Sequence, residues 1–202
     1  MTRISSFNLT MMIVGAVALG ACSPRDQPVD NAAMANDVMV DNAMMGENAM
    51  AGVPQSFKFI GGDGALLGSV AISEDPSGLV ANVGAVGMPV GVHGIHLHEK
   101  GLCEGPTFAS AGAHWNPAGK QHGRDNPAGA HAGDLANLTV AADGSASVSI
   151  PVAGAMMASG AMMLADADGT ALVIHAKPDD YKTDPSGDSG DRIACAVLAA
   201  PK

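Results

Sequence analysis

The chain has 202 residues, 20 acidic against 10 basic side chains, a net charge of −10 and a hydrophobic fraction of 47%. That supplies one modest core and an appendage, and so acidic a chain without basic patches excludes a nucleic-acid binder. Aromatics are only 3%, whereas 26 Gly and 12 Pro mark a chain that turns often around a core of small side chains.

The N-terminus reads as an export signal. Arg3 gives a positive start, residues 9–21 are mostly apolar, and Leu19, Gly20, Ala21 and Cys22 follow. The apolar run is short for a membrane span of roughly 20 residues. Leu-Gly-Ala-Cys is similar to a bacterial lipobox. The expectation is that residues 1–21 are removed and that Cys22 carries a lipid. The chain would then be anchored to a membrane of the cell envelope and face the periplasm or the exterior. A plain signal peptide cut after Ala21 is the alternative. With Cys22 lipidated, Cys103 and Cys195 remain to pair in an oxidising compartment; two buried free thiols are the other reading.

Residues 22–54 repeat Asn, Asp, Ala and Met without a stable period. Thioethers on such a polar background could bind copper(I), but a flexible tether with gap-filling Met explains the composition more simply. From residue 55 to 202 the texture changes to short apolar runs broken by Gly, Pro and Asp. The runs predict strands at 56–60, 66–73, 78–86, 91–99, 135–140, 146–151, 171–176 and 192–198. Turn signals stand at 61–64 (Gly-Gly-Asp-Gly) and 142–144 (Ala-Asp-Gly). The Met-rich stretch 153–163 could be misread as a helix; its glycines suit a loop and strand edge. The expected fold is all-β, an eight-stranded antiparallel Greek-key barrel or sandwich. Two stretches, 100–134 and 177–191, break the rhythm as long loops, which in a compact domain usually carry function.

All seven histidines fall after position 92, at 93, 96, 98, 114, 122, 131 and 175. In Gly91–Cys103 (GVHGIHLHEKGLC) the side chains of a strand alternate between faces. His96 and His98 therefore share one face, and His93 has the opposite parity. Two of the three can reach one ion; the third is a scaffold residue. His122, His131 and Asp134 lie in one Gly-rich loop, where two imidazoles and a carboxylate need one more donor to complete the tetrahedron that zinc prefers. His96, His98 and His175 offer three imidazoles, a set that suits copper. His114 lies between the groups and could serve either.

The successive stretches GVHGIHLHEKGLC, AGAHWNP, KQHG, HAGDL, LVIHAKPDDY and GDRIACAV resemble, in order, the motifs of the copper/zinc superoxide dismutases. The resemblance covers about residues 55–202 and implies the β-sandwich of that family. It implies that His96, His98, His114 and His175 bind copper, that His114, His122, His131 and Asp134 bind zinc, and that His114 bridges the two. It further implies that Asp179 links His96 to His122, that His93 is not a ligand, and that Cys103 and Cys195 form a disulfide. By the same likeness Arg192 guides superoxide beside copper, and Ser186 lies at the channel rim. The implied activity is disproportionation of superoxide to oxygen and hydrogen peroxide, with His114 carrying a proton. Without the motif, Arg192 would read equally well as a surface ion-pair partner of Asp191.

The stretch Lys177–Arg192 is shorter than in eukaryotic relatives, and Pro185 stands where those enzymes carry a steering lysine. The chain thus resembles the bacterial exported branch, whose subunit contacts differ; a homodimer is left open. Residues 55–202 hold 8 basic and 15 acidic side chains, so an anionic substrate must be drawn by a local positive field. Lys120, Lys177 and Lys182 could add to it but read first as solvated lysines. Two alternatives compete with the enzyme: a non-catalytic copper- and zinc-binding envelope lipoprotein, and an iron or manganese dioxygenase on a β-barrel. The second has no use for seven ligands.

Overall fold

A computed structural model describes residues 54–202. The export signal, Cys22 and nearly all of the tether lie outside the described residues. Among the described residues, no helix is long and apolar enough to cross a membrane.

The described residues form nine strands: β1 (Gln55–Gly61), β2 (Leu66–Asp75), β3 (Gly78–Ala85), β4 (Gly91–His93), β5 (Ile95–His98), β6 (Leu138–Val140), β7 (Ala146–Ala153), β8 (Thr170–His175) and β9 (Arg192–Ala199). A 3-10 turn spans Ala109–Ala111. Seven strands make one curled antiparallel sheet in the order β5-β8-β9-β1-β2-β3-β7, and β4 pairs with β6 beside it. β1, β2 and β3 are successive neighbours, and β9 returns from the far end of the chain to lie beside β1, which is Greek-key connectivity. The expected all-β antiparallel fold is therefore present.

The count of eight needs one correction. The run 91–99 is not one strand but two, divided at Gly94. There the Gly94 N–H donates to the Lys177 carbonyl and the Gly94 carbonyl accepts from the His175 N–H. A Cβ at Gly94 would sit 2.9 Å from Ser189 Cβ and 3.1 Å from His96 Cε1, so only glycine permits this approach. The chain thereby leaves the small sheet with His93 and enters the large one with His96. In the stretch 153–163, Ala153 ends β7 and the rest is a loop with one bridge, Met156 to Met163, and no helix.

Alternation decides what faces the core. Ile95 and Leu97 of β5, Leu172 and Ile174 of β8, and Ala194, Ala196 and Leu198 of β9 join the main hydrophobic cluster with Phe59, Val70 and Val83. The intervening residues point outward: Val173 lies opposite His96, Ala171 opposite His98, and Cys195 opposite Val173. That outer face is also buried, because β5 and β8 are covered on both sides. The cover is the loop after β5, whose Phe108 and Ala111 pack on Ala171, Val173 and Cys195.

A disulfide joins Cys103 to Cys195, Cα to Cα 5.7 Å, across a separation of 92 residues. It clips the covering loop to β9. Closing a loop of that length restricts the unfolded chain by roughly 4–5 kcal/mol on the chain-entropy argument, and native disulfides measure about 2–5 kcal/mol. Reducing the bond in the metal-free protein should therefore lower the unfolding free energy by about 2–5 kcal/mol. Chemical denaturation with and without reductant checks this. An unchanged midpoint would show that the clip adds nothing.

Candidate metal centre

The loop after β5 returns twice to the free edge of that strand. His114 bridges to His98 and Asp134 bridges to His96, while Trp115 and Gly133 exchange backbone hydrogen bonds with Leu97 and with each other. These returns bring the loop residues against His96 and His98, which already share the outer face. His175 arrives at the end of β8, past a register irregularity that sets it beside Arg192.

Two groups of side chains result. Ligand-capable atoms of His96, His98, His114 and His175 lie within 4.8 Å of one another, and so do those of His114, His122, His131 and Asp134. His114 belongs to both. His93 belongs to neither: its ring nitrogens each lie 2.8 Å from a backbone carbonyl, those of His175 and Pro89. Its buried ring therefore braces the strand end that carries His175.

Each imidazole of the first group holds itself with one nitrogen and offers the other. His96 Nε2 lies 2.8 Å from Asp179 Oδ2. His98 Nδ1 lies 3.0 Å from the Gly112 carbonyl, and His175 Nδ1 lies 3.2 Å from the Gly190 carbonyl. His114 Nδ1 lies 3.0 Å from Asp134 Oδ1. What remains is His96 Nδ1 and His114 Nε2, both buried without a hydrogen-bond partner, and His98 Nε2 facing His175 Nε2 at 3.4 Å. Buried polar atoms left unpaired cost free energy, and nitrogens converging in this way fit a metal that accepts their lone pairs. In His96, His98 and His175 the second nitrogen is fixed by a carboxylate or a carbonyl, the arrangement that orients ligand imidazoles.

In the second group, Nδ1 of His114, His122 and His131 lie 3.0, 3.0 and 3.1 Å from Asp134 Oδ1. Ligand atoms in a tetrahedron with bonds of roughly 2.0 Å stand about 3.3 Å apart, so this spacing suits zinc. Asp134 Oδ2 is occupied by the backbone N–H groups of Gly123 and His131, which aims Oδ1 inward. Asp179 spans the groups: its Oδ2 meets His96 and its Oδ1 lies 3.0 Å from His122 Nε2. Asn137, which the sequence does not single out, brackets Asp179. Its Oδ1 accepts the Asp179 N–H and its Nδ2 donates to the Asp179 carbonyl, each at 2.9 Å.

Arg192 is half-buried and makes no ion pair with the exposed Asp191. Its Nη1 and Nη2 donate to the carbonyls of Phe108 and Gly112, each at 2.6 Å. The Gly112 carbonyl thus carries both the guanidinium and His98. Gly112 has φ +77°, and a Cβ there would lie 2.7 Å from Glu99 Oε1, so glycine is required. Ser186 is half-buried, while Lys120, Lys177 and Lys182 are exposed.

Charge and burial set the protonation. Burial, with His114 and Arg192 nearby, pushes His98 down to about 2. Burial, followed by the neighbouring His96, pushes His175 down to about 3. Burial also lowers His114, to about 4, although its hydrogen bond to Asp134 opposes this. These three rings are neutral at pH 7 and ready to bind a cation. Burial disfavours charge on His122 as well, but its bonds to Asp134 and Asp179 outweigh it and raise the ring to about 9. Burial would raise Asp134 and Asp179, yet hydrogen bonds from the histidines hold both below the usual carboxylate range.

The linkage signs follow for the metal-free protein. Below the ordinary value of 6.5 for His98, His114 and His175, the unfolded chain binds protons that these folded rings refuse. Stability therefore falls as pH drops from 6.5 toward 4. Lost carboxylate pairing at Asp134 and Asp179 adds to the fall below about 4. His122 gives the opposite trend: its contribution is complete below 6.5 and is lost as pH rises through about 9. Thermal midpoints of the metal-stripped protein should therefore peak near pH 6.5 and decline on both sides. A flat profile between pH 4 and 6.5 would contradict the burial of the three neutral rings.

The family model described as copper/zinc superoxide dismutase matches residues 66–198. A copper-zinc superoxide dismutase of Caulobacter vibrioides is 44% identical over 140 residues, 68% of this chain and 80% of that protein. The superoxide dismutase-like protein YojM of Bacillus subtilis is 35% identical over 193 residues, 94% of each chain. Among solved structures, a SOD-like protein from Bacillus subtilis superposes with TM-score 0.70 at 39% identity, covering 72% of this chain and 99% of its own. The copper/zinc enzyme of Brucella abortus gives TM-score 0.57 at 30% identity, covering 72% and 99%. With the fold, the seven clustered residues and these relatives in agreement, the chain belongs to the copper/zinc superoxide dismutase family.

Proposed function

We propose that the chain converts two superoxide anions and two protons into oxygen and hydrogen peroxide. Copper would be held by His96, His98, His114 and His175, and zinc by His114, His122, His131 and Asp134. The observation that carries this reading is the sharing of His114 between two groups whose free nitrogens converge, with a fixed cationic group beside the first. Bound copper would supply the one-electron chemistry, taking an electron from one superoxide and returning it to the next, while zinc stays redox-silent.

The chain's own residues supply the rest. Arg192 is pinned by two carbonyls, so its charge is preorganised and does not reorient when an anion arrives. Its register position opposite His175 puts it at the edge of the four-imidazole group. His114 Nε2, buried without a protein partner, would be the atom that takes up and gives back one of the two protons whenever it is not holding copper. Asp179 keeps His96 Nε2 and His122 Nε2 occupied, so those rings present Nδ1.

The proposal extends to location: an export signal, lipid on Cys22, and a domain facing the periplasm or the exterior. The Cys103–Cys195 disulfide supports an oxidising compartment. The likeness over nearly all of both chains to a protein named only as superoxide dismutase-like favours a second reading, a metal-binding envelope lipoprotein without turnover. That reading has no use for Arg192.

Arg192 therefore separates the two. Arg192→Ala should lower the second-order rate of superoxide consumption by about tenfold while copper and zinc remain bound. Arg192→Glu should be slower still, and Arg192→Lys should keep part of the attraction but lose the forked geometry. Raising ionic strength should slow the parent more than the Ala variant, because salt screens an attraction the variant lacks. A fully active Ala variant, or equal salt dependence in both, would remove Arg192 from the reaction.

A further inference from the structure

Resting on the metal-binding reading above, we propose that Tyr181 is a positioning residue for the whole centre. It fixes Asp179 and, through it, both His96 and His122.

Tyr181 is one of three described non-glycine residues with positive φ, at +62°. A tyrosine adopts that conformation only where its surroundings hold it there. Four attachments do so. Its N–H donates to Asp179 Oδ1 at 2.6 Å, the same oxygen that meets His122. Its carbonyl accepts the Asp125 N–H at 2.9 Å. Its hydroxyl accepts the Asn137 N–H at 2.8 Å. The Arg124 guanidinium stacks on its ring, 3.6 Å from the centroid.

These attachments run to three segments. Arg124 and Asp125 follow His122 in the loop after β5, Asn137 leads into β6, and Asp179 lies in the loop after β8. Asn137 closes the circuit by bracketing both peptide groups of Asp179. The approach is close as well: a Cβ at Gly123 would lie 2.2 Å from the Tyr181 carbonyl oxygen. Moving Tyr181 therefore moves the carboxylate that sets the orientation of one imidazole in each group. The side chain touches no ligand-bearing nitrogen itself, so its effect is on metal affinity and geometry rather than on the reacting atoms.

The test uses the full chain loaded with copper and zinc, and compares Tyr181→Ala and Tyr181→Phe with Val83→Ala. Val83 is buried in β3, which carries none of the clustered residues, and its variant controls for general destabilisation. Zinc affinity is read by chelator competition, and the copper environment by the electron paramagnetic resonance spectrum. Tyr181→Ala should weaken zinc roughly tenfold, the lower end for residues that orient ligands, and shift the copper spectrum. Tyr181→Phe keeps the ring under Arg124 and should recover most of the affinity. Val83→Ala should leave both readouts at parent values. If Tyr181→Ala does not fold, Tyr181→Leu takes its place with the same expectation. A Tyr181 variant indistinguishable from Val83→Ala in both readouts overturns the positioning role while the metal reading stands. A parent chain that takes up neither metal overturns both.

Discussion

An imidazole has two nitrogens, and this centre depends on how each ring divides them. His96, His98 and His175 use one nitrogen on Asp179, the Gly112 carbonyl and the Gly190 carbonyl, and keep the other free. His114 differs because its Nδ1 lies in the group around Asp134 while its Nε2 is buried and unpaired in the other. Much of the architecture follows from delivering that one ring to its place. The loop after β5 must be long enough to return to the free edge of the strand. It must also be held there, which the disulfide and the packing of Phe108 and Ala111 accomplish. The outer face of β5 and β8 becomes as buried as the inner one, and burial keeps His98, His114 and His175 neutral.

The same covering loop solves the electrostatic problem. The described domain is acidic, so attraction of an anion must be local. The carbonyls of Phe108 and Gly112 hold Arg192, and the second of them also holds His98. One backbone oxygen thus couples the cation to a metal-facing ring. Neutral imidazoles beside the guanidinium leave its charge uncancelled, whereas an ion pair with Asp191 would have cancelled much of it.

Much of this was legible in the sequence because it rests on short-range periodicity. Two-residue spacing puts His96 and His98 on one face and gives His93 the opposite parity. Glycine-punctuated apolar runs marked the strands to within a few residues. The division of the run 91–99 was not legible, since a single glycine inside a strand pattern does not announce a change of sheet. Nor could the sequence say which nitrogen of each ring faces inward, because that is fixed by carbonyls at Gly112 and Gly190, remote in the chain. Asn137 and Tyr181 escaped notice for the same reason. They act through backbone groups, and backbone partners leave no residue-type signature.

The central claim is that this chain turns superoxide over at a copper that shares His114 with zinc. The most direct test is to load the purified protein with both metals, count them, and follow superoxide decay after pulsed generation alongside the zinc-only protein. The account predicts one copper and one zinc per chain. It predicts decay first order in enzyme with one oxygen and one peroxide formed per two superoxide consumed, and only background decay with zinc alone. Both metals bound stoichiometrically, with decay no faster than in the zinc-only protein, would contradict it and leave a metal-binding protein on a dismutase fold.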